Sequence, residues 1–250
     1  MAEFTIVTTV KDEGPYFLEW LAYHYLIGFD HFHVSANNCS DHTDEILQIL
    51  DAQGLIHFND NTKREKGEAP DPQRRAYGRA RRDKTVMKSK YVAVIDGDEF
   101  FNIHAGDGSL KALMKATGPF DLISPTWRVF GSSGRVAFEE GLQCEQFTKT
   151  AKPFYPPHFR FWGIKTMFKP AYTLHFGIHR PHLRLRFRRG EAGPLVWLNG
   201  SGEDVYERFY QAHWSSSKET YGNKLVQVNH YMVRSAEAFL KKRMRGTANT

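Results

Sequence analysis

At 250 residues with 41% apolar content and a formal net charge of +6, the chain is long enough to bury a substantial core, and one domain is expected over 1–250. Two cysteines, Cys39 and Cys144, are too few for a disulfide framework and lack metal-ligand spacing, so a reducing compartment is the default. No basic leader with a cleavage site and no membrane-length apolar run is legible, and the expectation is a soluble, cytoplasmic chain.

Charge is unevenly spread. Residues 1–125 carry 14 Lys/Arg against 19 Asp/Glu, whereas residues 126–250 carry 20 against 9. The second half should therefore attract anions: a diphosphate, an acidic glycan, an anionic membrane surface or nucleic acid. Two basic clusters stand out, Arg184, Arg186, Arg188 and Arg189, then Lys241, Lys242, Arg243 and Arg245. Either could equally be a solvated charged face.

The β-branched run Thr5 to Val10 predicts a strand, and Lys11-Asp-Glu-Gly-Pro15 supplies turn chemistry with Pro near a first helical turn. Leu18, Leu21, Ala22, Tyr25 and Leu26 then recur at helical spacing, with Gly28 as the stop. His31 to Ser35 reads as a second strand. A polar loop follows, whose Ser40 or Asp41 can cap a helix carrying Ile46, Leu47, Ile49 and Leu50. Leu55 to Phe58 is a third strand, and a basic helix is expected from about Gln73 to Met87.

Next comes Tyr91-Val-Ala-Val-Ile95, a buried strand that opens directly onto Asp96-Gly-Asp-Glu-Phe100. Alternate residues of an extended chain share a face, so Asp96 and Asp98 could address one cation, and hard carboxylate oxygens suit Mg²⁺ or Mn²⁺ holding a diphosphate. Acidic triplets after strands also occur as plain solvated turns. Further strands are expected at 122–130, 165–168, 172–176, 195–198 and 227–231, with a Pro- and aromatic-rich connection around 150–163 and a last helix from about Ser235 to Arg243. Strands alternating with helices predict an α/β fold with a mostly parallel sheet, in which ligands collect at the carboxyl ends of the strands. Lys11, Asn37 and Asp96 all fall there. Gly200-Ser-Gly202 lacks the third glycine of a dinucleotide fingerprint, and no P-loop is present.

Seven segments in order, Lys11 to His24, Leu26 to Asp30, Asn38 to Asp44, Asp96 to Phe100, Trp127 to Gly134, Glu145 to Phe147 and Asn229 to Ser235, resemble the glycosyltransferase family 2-like group related to family 92. That resemblance implies a GT-A type, Rossmann-like fold. A nucleotide-binding half (1–101) would precede an acceptor-binding half (102–250) with a smaller antiparallel portion. It also implies a metal-dependent, inverting hexosyltransferase that uses Mn²⁺ or Mg²⁺ and a UDP- or GDP-linked sugar. The acceptor would be a glycan or glycolipid of surface-polysaccharide or lipopolysaccharide type, with peripheral contact to an anionic membrane and no nucleic-acid partner. Gly97 departs from relatives that carry an apolar residue there.

By position, the resemblance makes Asp98 and His230 the metal ligands and turns Asp96 to the donor ribose. Neutral imidazole suits such an ion, although any one of twelve histidines is more often structural. Lys11, Glu13, Asn37, Asp41 and Gln73 are placed around nucleotide and diphosphate, and Lys165 and Arg234 are candidate phosphate partners; turn-making, capping or surface roles remain open for each. Inversion needs a carboxylate to take the acceptor proton. Glu145 is the leading choice, with Glu140 and Asp204 behind it, and Trp127 and Phe130 could stack on a sugar or belong to the core. Two other functions fit the acidic motif and basic half: a nucleotidyltransferase using Mg-NTP, and a non-catalytic module that binds anionic glycans.

Overall fold

A computed structural model of the chain describes residues 2–152, 162–188, 191, 193, 195–209 and 213–246. Arg189 and most of the 150–163 connection lie outside them. In chain order the elements are β1 (Phe4–Val10), α1 (Gly14–Ile27), β2 (His31–Ala36), α2 (Thr43–Ala52), β3 (His57–Asp60), α3 (Pro72–Arg82), α4 (Lys84–Lys88), β4 (Tyr91–Val94), β5 (Glu99–Ile103), α5 (Leu110–Thr117), β6 (Leu122–Ser124) and β7 (Trp127–Val129). Then follow α6 (Gln143–Gln146), β8 (Met167–Phe168), β9 (Thr173–His175), β10 (His182–Leu183), α7 (Leu185–Arg188), β11 (Trp197–Asn199), α8 (Tyr206–Phe209), β12 (Val226–His230) and α9 (Ala236–Met244).

Seven strands make the main sheet in the order β11-β6-β8-β4-β1-β2-β3. Among the described residues only β8 runs antiparallel to its neighbours, β4 and β6; the other pairs are parallel. Alternation along the central strands divides the core between the two faces. Phe4, Ile6 and Val10 of β1 and Tyr91 and Ala93 of β4 join one apolar cluster, which also holds Trp20 of α1. Val7, Val92 and Val94 join another with Tyr77, Ala80 and Val86. This two-sided burial is what a parallel sheet requires, and it bears out the expected α/β class.

A second, three-stranded sheet, β5-β12-β7, packs at the carboxyl edge. In it β12 is antiparallel to β5 and parallel to β7. Trp20 links the layers by donating its indole N–H to the Glu99 carbonyl at 2.9 Å. Gly28 ends α1 with φ of 113°, a left-handed cap that glycine adopts without a Cβ clash.

Several boundaries differ from the sequence expectation. The basic helix over 73–87 is broken at Asp83, which is extended (φ −69°, ψ 127°) and accepts the Thr85 and Val86 N–H groups, ending α3 and capping α4. The strand over 122–130 is two strands in different sheets, separated by Pro125, which has no N–H to continue a ladder. The third strand begins at His57 rather than Leu55. Helix α2 starts at Thr43, whose N–H is taken by Asp41 at 2.9 Å.

Candidate active site

The carboxyl ends of β1, β2 and β4 open into a cavity of about 520 Å³, walled on its other side by the β5-β12-β7 sheet and by α9. Lys11, Glu13, Asn37, Gln73, Asp96, Asp98 and His230 all line it. Residues from five separate chain segments are thus brought together as the sequence anticipates. Gly97 lets the acidic loop pass close over β1, since a Cβ there would lie 3.0 Å from Val10 Cγ1.

Asp98 and His230 face one another, with Oδ1 3.5 Å from Nε2. The antiparallel register of β5 and β12 sets His230 opposite Glu99, and Tyr231 donates its N–H to the Asp98 carbonyl at 2.9 Å. Burial alone would raise the Asp98 carboxyl, but Lys242, then His230 and Arg234, outweigh it and hold it well below the usual carboxylate range. A charged carboxylate and an imidazole at this spacing, both turned to a cavity, fit a divalent cation whose remaining positions come from water and substrate oxygens. Trp127 lies against the imidazole with ring centroids 4.5 Å apart.

Asp96 is differently engaged. Its Oδ2 takes the Lys165 ammonium at 2.8 Å and its Oδ1 takes a Gln73 N–H at 3.3 Å. Lys165 also meets Glu99 Oε2 at 3.1 Å and is fully buried. Contrary to its expected role against donor phosphate, Lys165 lies beneath the cavity and neutralises the acidic loop from within. Burial alone would lower its pKa, but Asp96 and Glu99 raise it. Burial likewise pushes the Glu99 carboxyl up, to about 7, against the opposing pull of Lys165. Asp96, with about 30% of its side chain exposed, remains open to the cavity.

Three other expected residues do not line this cavity. Arg234 is buried, donates to Glu13 Oε2 at 2.6 Å and to Gln143 Oε1 at 3.1 Å, and stacks over the Tyr16 ring at 3.6 Å. These contacts secure its left-handed backbone, φ 55°, which costs a non-glycine residue about 1 kcal/mol or more. Asp41 joins the starts of α1 and α2 by accepting the Gly14 and Thr43 N–H groups at 3.2 and 2.9 Å. Arg234 and Asp41 instead line a neighbouring cavity of about 610 Å³ on the other flank of α9. Glu145 sits on α6 and lines neither cavity. The runners-up fare no better, since Glu140 and Asp204 are exposed and also off the main cavity.

Three contributors were not among the expected site residues, although Lys242 and Arg245 belong to the basic cluster near the C-terminal end. His179 lines the cavity, and its Nδ1–H donates to the Ile164 carbonyl at 3.1 Å, which leaves Nε2 as a proton acceptor. Burial lowers its pKa to about 4, so the ring is neutral. Lys242 reaches Asp98 Oδ2 from α9, and Arg245 holds Glu13 Oε1 at 2.7 Å and the Asp12 carbonyl at 2.9 Å. Phe239, Lys242 and Arg245 recur every three residues, a helical stripe that was available as a signal. Trp127 is seated against the backbone because position 163 is glycine; a Cβ there would lie 2.4 Å from the indole.

The carboxyl edge of a mostly parallel α/β sheet is where open α/β folds bind their ligands, and here acidic and imidazole groups are paired at that edge. The chain belongs to glycosyltransferase family 92, whose family model matches residues 8–189. Among solved structures it is similar to S. aureus TarS 1–349 in complex with UDP, at 14% identity and a TM-score of 0.38, covering 68% of this chain and 47% of that one. The same protein in complex with UDP-GlcNAc matches at 15% identity and 0.38, over 68% and 46%. A mycobacterial protein matches at 13% and 0.34, over 53% and 43%. The chain thus spans less than half the length of these structures. No curated protein sequence matches it. Among the described residues no helix is long and apolar enough to cross a membrane.

Proposed function

We propose that this chain transfers a sugar from a nucleoside-diphosphate donor, UDP- or GDP-linked, to a hydroxyl of a glycan or glycolipid, with inversion at the anomeric carbon. The observation that carries this reading is the Asp98–His230 pair, 3.5 Å apart in a cavity of about 520 Å³, in a chain of family 92. Lys11, Glu13 and Asn37 are assigned to the nucleoside, Gln73 and Asp96 to the ribose and diphosphate edge. Asp98 and His230 would hold Mn²⁺ or Mg²⁺, which supplies compensation for the charge that develops on the departing diphosphate. Lys242 and Arg243, from α9, add cationic charge at the same cavity.

The acceptor hydroxyl must lose its proton as it attacks. Glu145 is off the cavity, so we assign proton acceptance to His179 Nε2, held in the neutral tautomer by the Ile164 carbonyl. Trp127, beside both His179 and His230, offers a ring face to the sugar. The basic second half suits an anionic glycan or lipid headgroup at the cavity mouth.

The test is turnover of a panel of nucleotide sugars with and without Mn²⁺. Release of nucleoside diphosphate that is lost in Asp98→Ala and in His230→Ala, by about 100-fold or more, is the expected result. Activity that persists in both variants would remove the assignment, and release of pyrophosphate from a nucleoside triphosphate would favour the nucleotidyltransferase.

A further inference from the structure

Alternation along β2 turns Phe32, Val34 and Ala36 into the core cluster that contains Trp20. His31, His33 and Ser35 therefore face the other side of the sheet. His33 is paired in register with His57 of β3, and their ring centroids are 5.0 Å apart. Asp83, at the break between α3 and α4, reaches the same place, its Oδ2 3.9 Å from His57 Nε2. One ligand atom from each of His33, His57 and Asp83 lies within 4.8 Å of the other two.

Three features separate this cluster from a chance meeting of polar groups. His33 is only 2% exposed, yet among the described residues neither of its ring nitrogens has a hydrogen-bond partner, which is uncommon for a buried polar side chain. Asp83 uses only Oδ1 to cap α4, so Oδ2 is left turned to the histidines. The side chain of His57 is 50% exposed and that of Asp83 24%, so an ion has an entry path and a solvent molecule can complete its shell.

We propose that His33, His57 and Asp83 bind one divalent transition-metal ion of zinc type, at a site separate from the donor cavity. Two imidazoles and one carboxylate make a borderline nitrogen/oxygen set that suits Zn²⁺ with water in the fourth position. Ligand atoms around a tetrahedral zinc stand about 3.3 Å apart, so modest rotation of the exposed His57 and Asp83 side chains closes the shell. The ion would tie β3, the edge strand of the main sheet, to the α3–α4 break. Its role on this reading is to clamp the edge of the sheet, with no part in sugar transfer.

The experiment uses the full chain in an Asp98→Asn background, which silences the donor cavity, and titrates Zn²⁺ calorimetrically and Co²⁺ by visible absorption. Expected are one equivalent of tight Zn²⁺, a four-coordinate Co²⁺ spectrum, and a Tm rise of about 5 °C or more with Zn²⁺ at 100-fold excess over Kd. His57→Gln and Asp83→Asn, the latter keeping the α4 cap, should each weaken Zn²⁺ at least the 10- to 100-fold seen for outer-shell losses, with little change in metal-free Tm. Unchanged Zn²⁺ affinity and stoichiometry in both variants, or no saturable binding below about 1 mM, would overturn the site.

Discussion

Lys242 and His230 approach Asp98 from opposite carboxylate oxygens: the ammonium pairs with Oδ2, while the imidazole faces Oδ1. On the proposed function, the α9 helix thereby places a positive charge where a donor diphosphate would arrive. An incoming divalent cation would share Asp98 with Lys242 and release the ammonium toward phosphate. Lys242→Gln should therefore bind Mn²⁺ more tightly in the absence of donor, yet bind nucleoside diphosphate about 10-fold more weakly, the loss of one charge-assisted contact of about 1.4 kcal/mol. Manganese EPR titration and calorimetry of nucleotide binding read the two effects separately. Parallel loss of both affinities would mean that Lys242 only shapes the site.

Lys165 makes a different prediction. Its ammonium is fully buried between Asp96 and Glu99, and removing one member of such a group leaves uncompensated charge, which costs about 3–5 kcal/mol. Lys165→Met should lower the unfolding free energy read from urea titration by that amount at neutral pH. Adding Asp96→Asn to it should restore part of the loss. A loss of unfolding free energy under about 1 kcal/mol would show that the cluster is hydrated and interchangeable.

These two lysines also mark how far the sequence could be read. The ends of β1, β2 and β4 were legible because β-branched runs stop at polar turns, and the acidic exit of β4 follows an apolar strand. The Asp98–His230 meeting was anticipated only through the family resemblance, since 132 residues separate them in the chain. Lys165 read as a phosphate partner because sequence shows charge and not depth; its burial depends on β8 entering the main sheet beside β4. Glu145 misled for a related reason. The Glu-x-Phe segment is a packing element: Phe147 is in the core, and the Gln143 and Cys144 N–H groups are capped by Glu19 at 2.7 and 3.0 Å. The inward face of α9 was written in Phe239, Lys242 and Arg245, but its direction depends on the left-handed turn at Arg234.

His179 offers a test that separates acceptor activation from donor binding. With Nδ1 committed to the Ile164 carbonyl, only Nε2 can take a proton, and general-base loss usually costs about 100- to 10,000-fold. His179→Ala should lower the transfer rate within that range while nucleoside-diphosphate affinity stays within about twofold. Equal losses in rate and donor affinity would place His179 among the binding groups.

Fold stability should depend on pH through His24. The side chain is fully buried; Nδ1–H donates to the Trp20 carbonyl at 2.8 Å, and Nε2 accepts the Phe101 N–H at 3.3 Å. A second proton would fall on Nε2 and break the bond to β5. Burial accordingly lowers the pKa from its ordinary 6.5 to about 3, with the Trp20 carbonyl opposing the shift. Between these two values the unfolded chain holds a proton that the folded chain does not, so stability is full above pH 6.5 and falls as pH drops toward 3. One such group contributes a slope of up to about 1.4 kcal/mol per pH unit. Urea midpoints measured from pH 7 to 4.5 should show the decline, and His24→Gln, which keeps an amide to bond the same partners, should reduce its slope. An unchanged slope in that variant would assign the acid sensitivity to other buried histidines, of which His33 and His179 also have lowered pKa values.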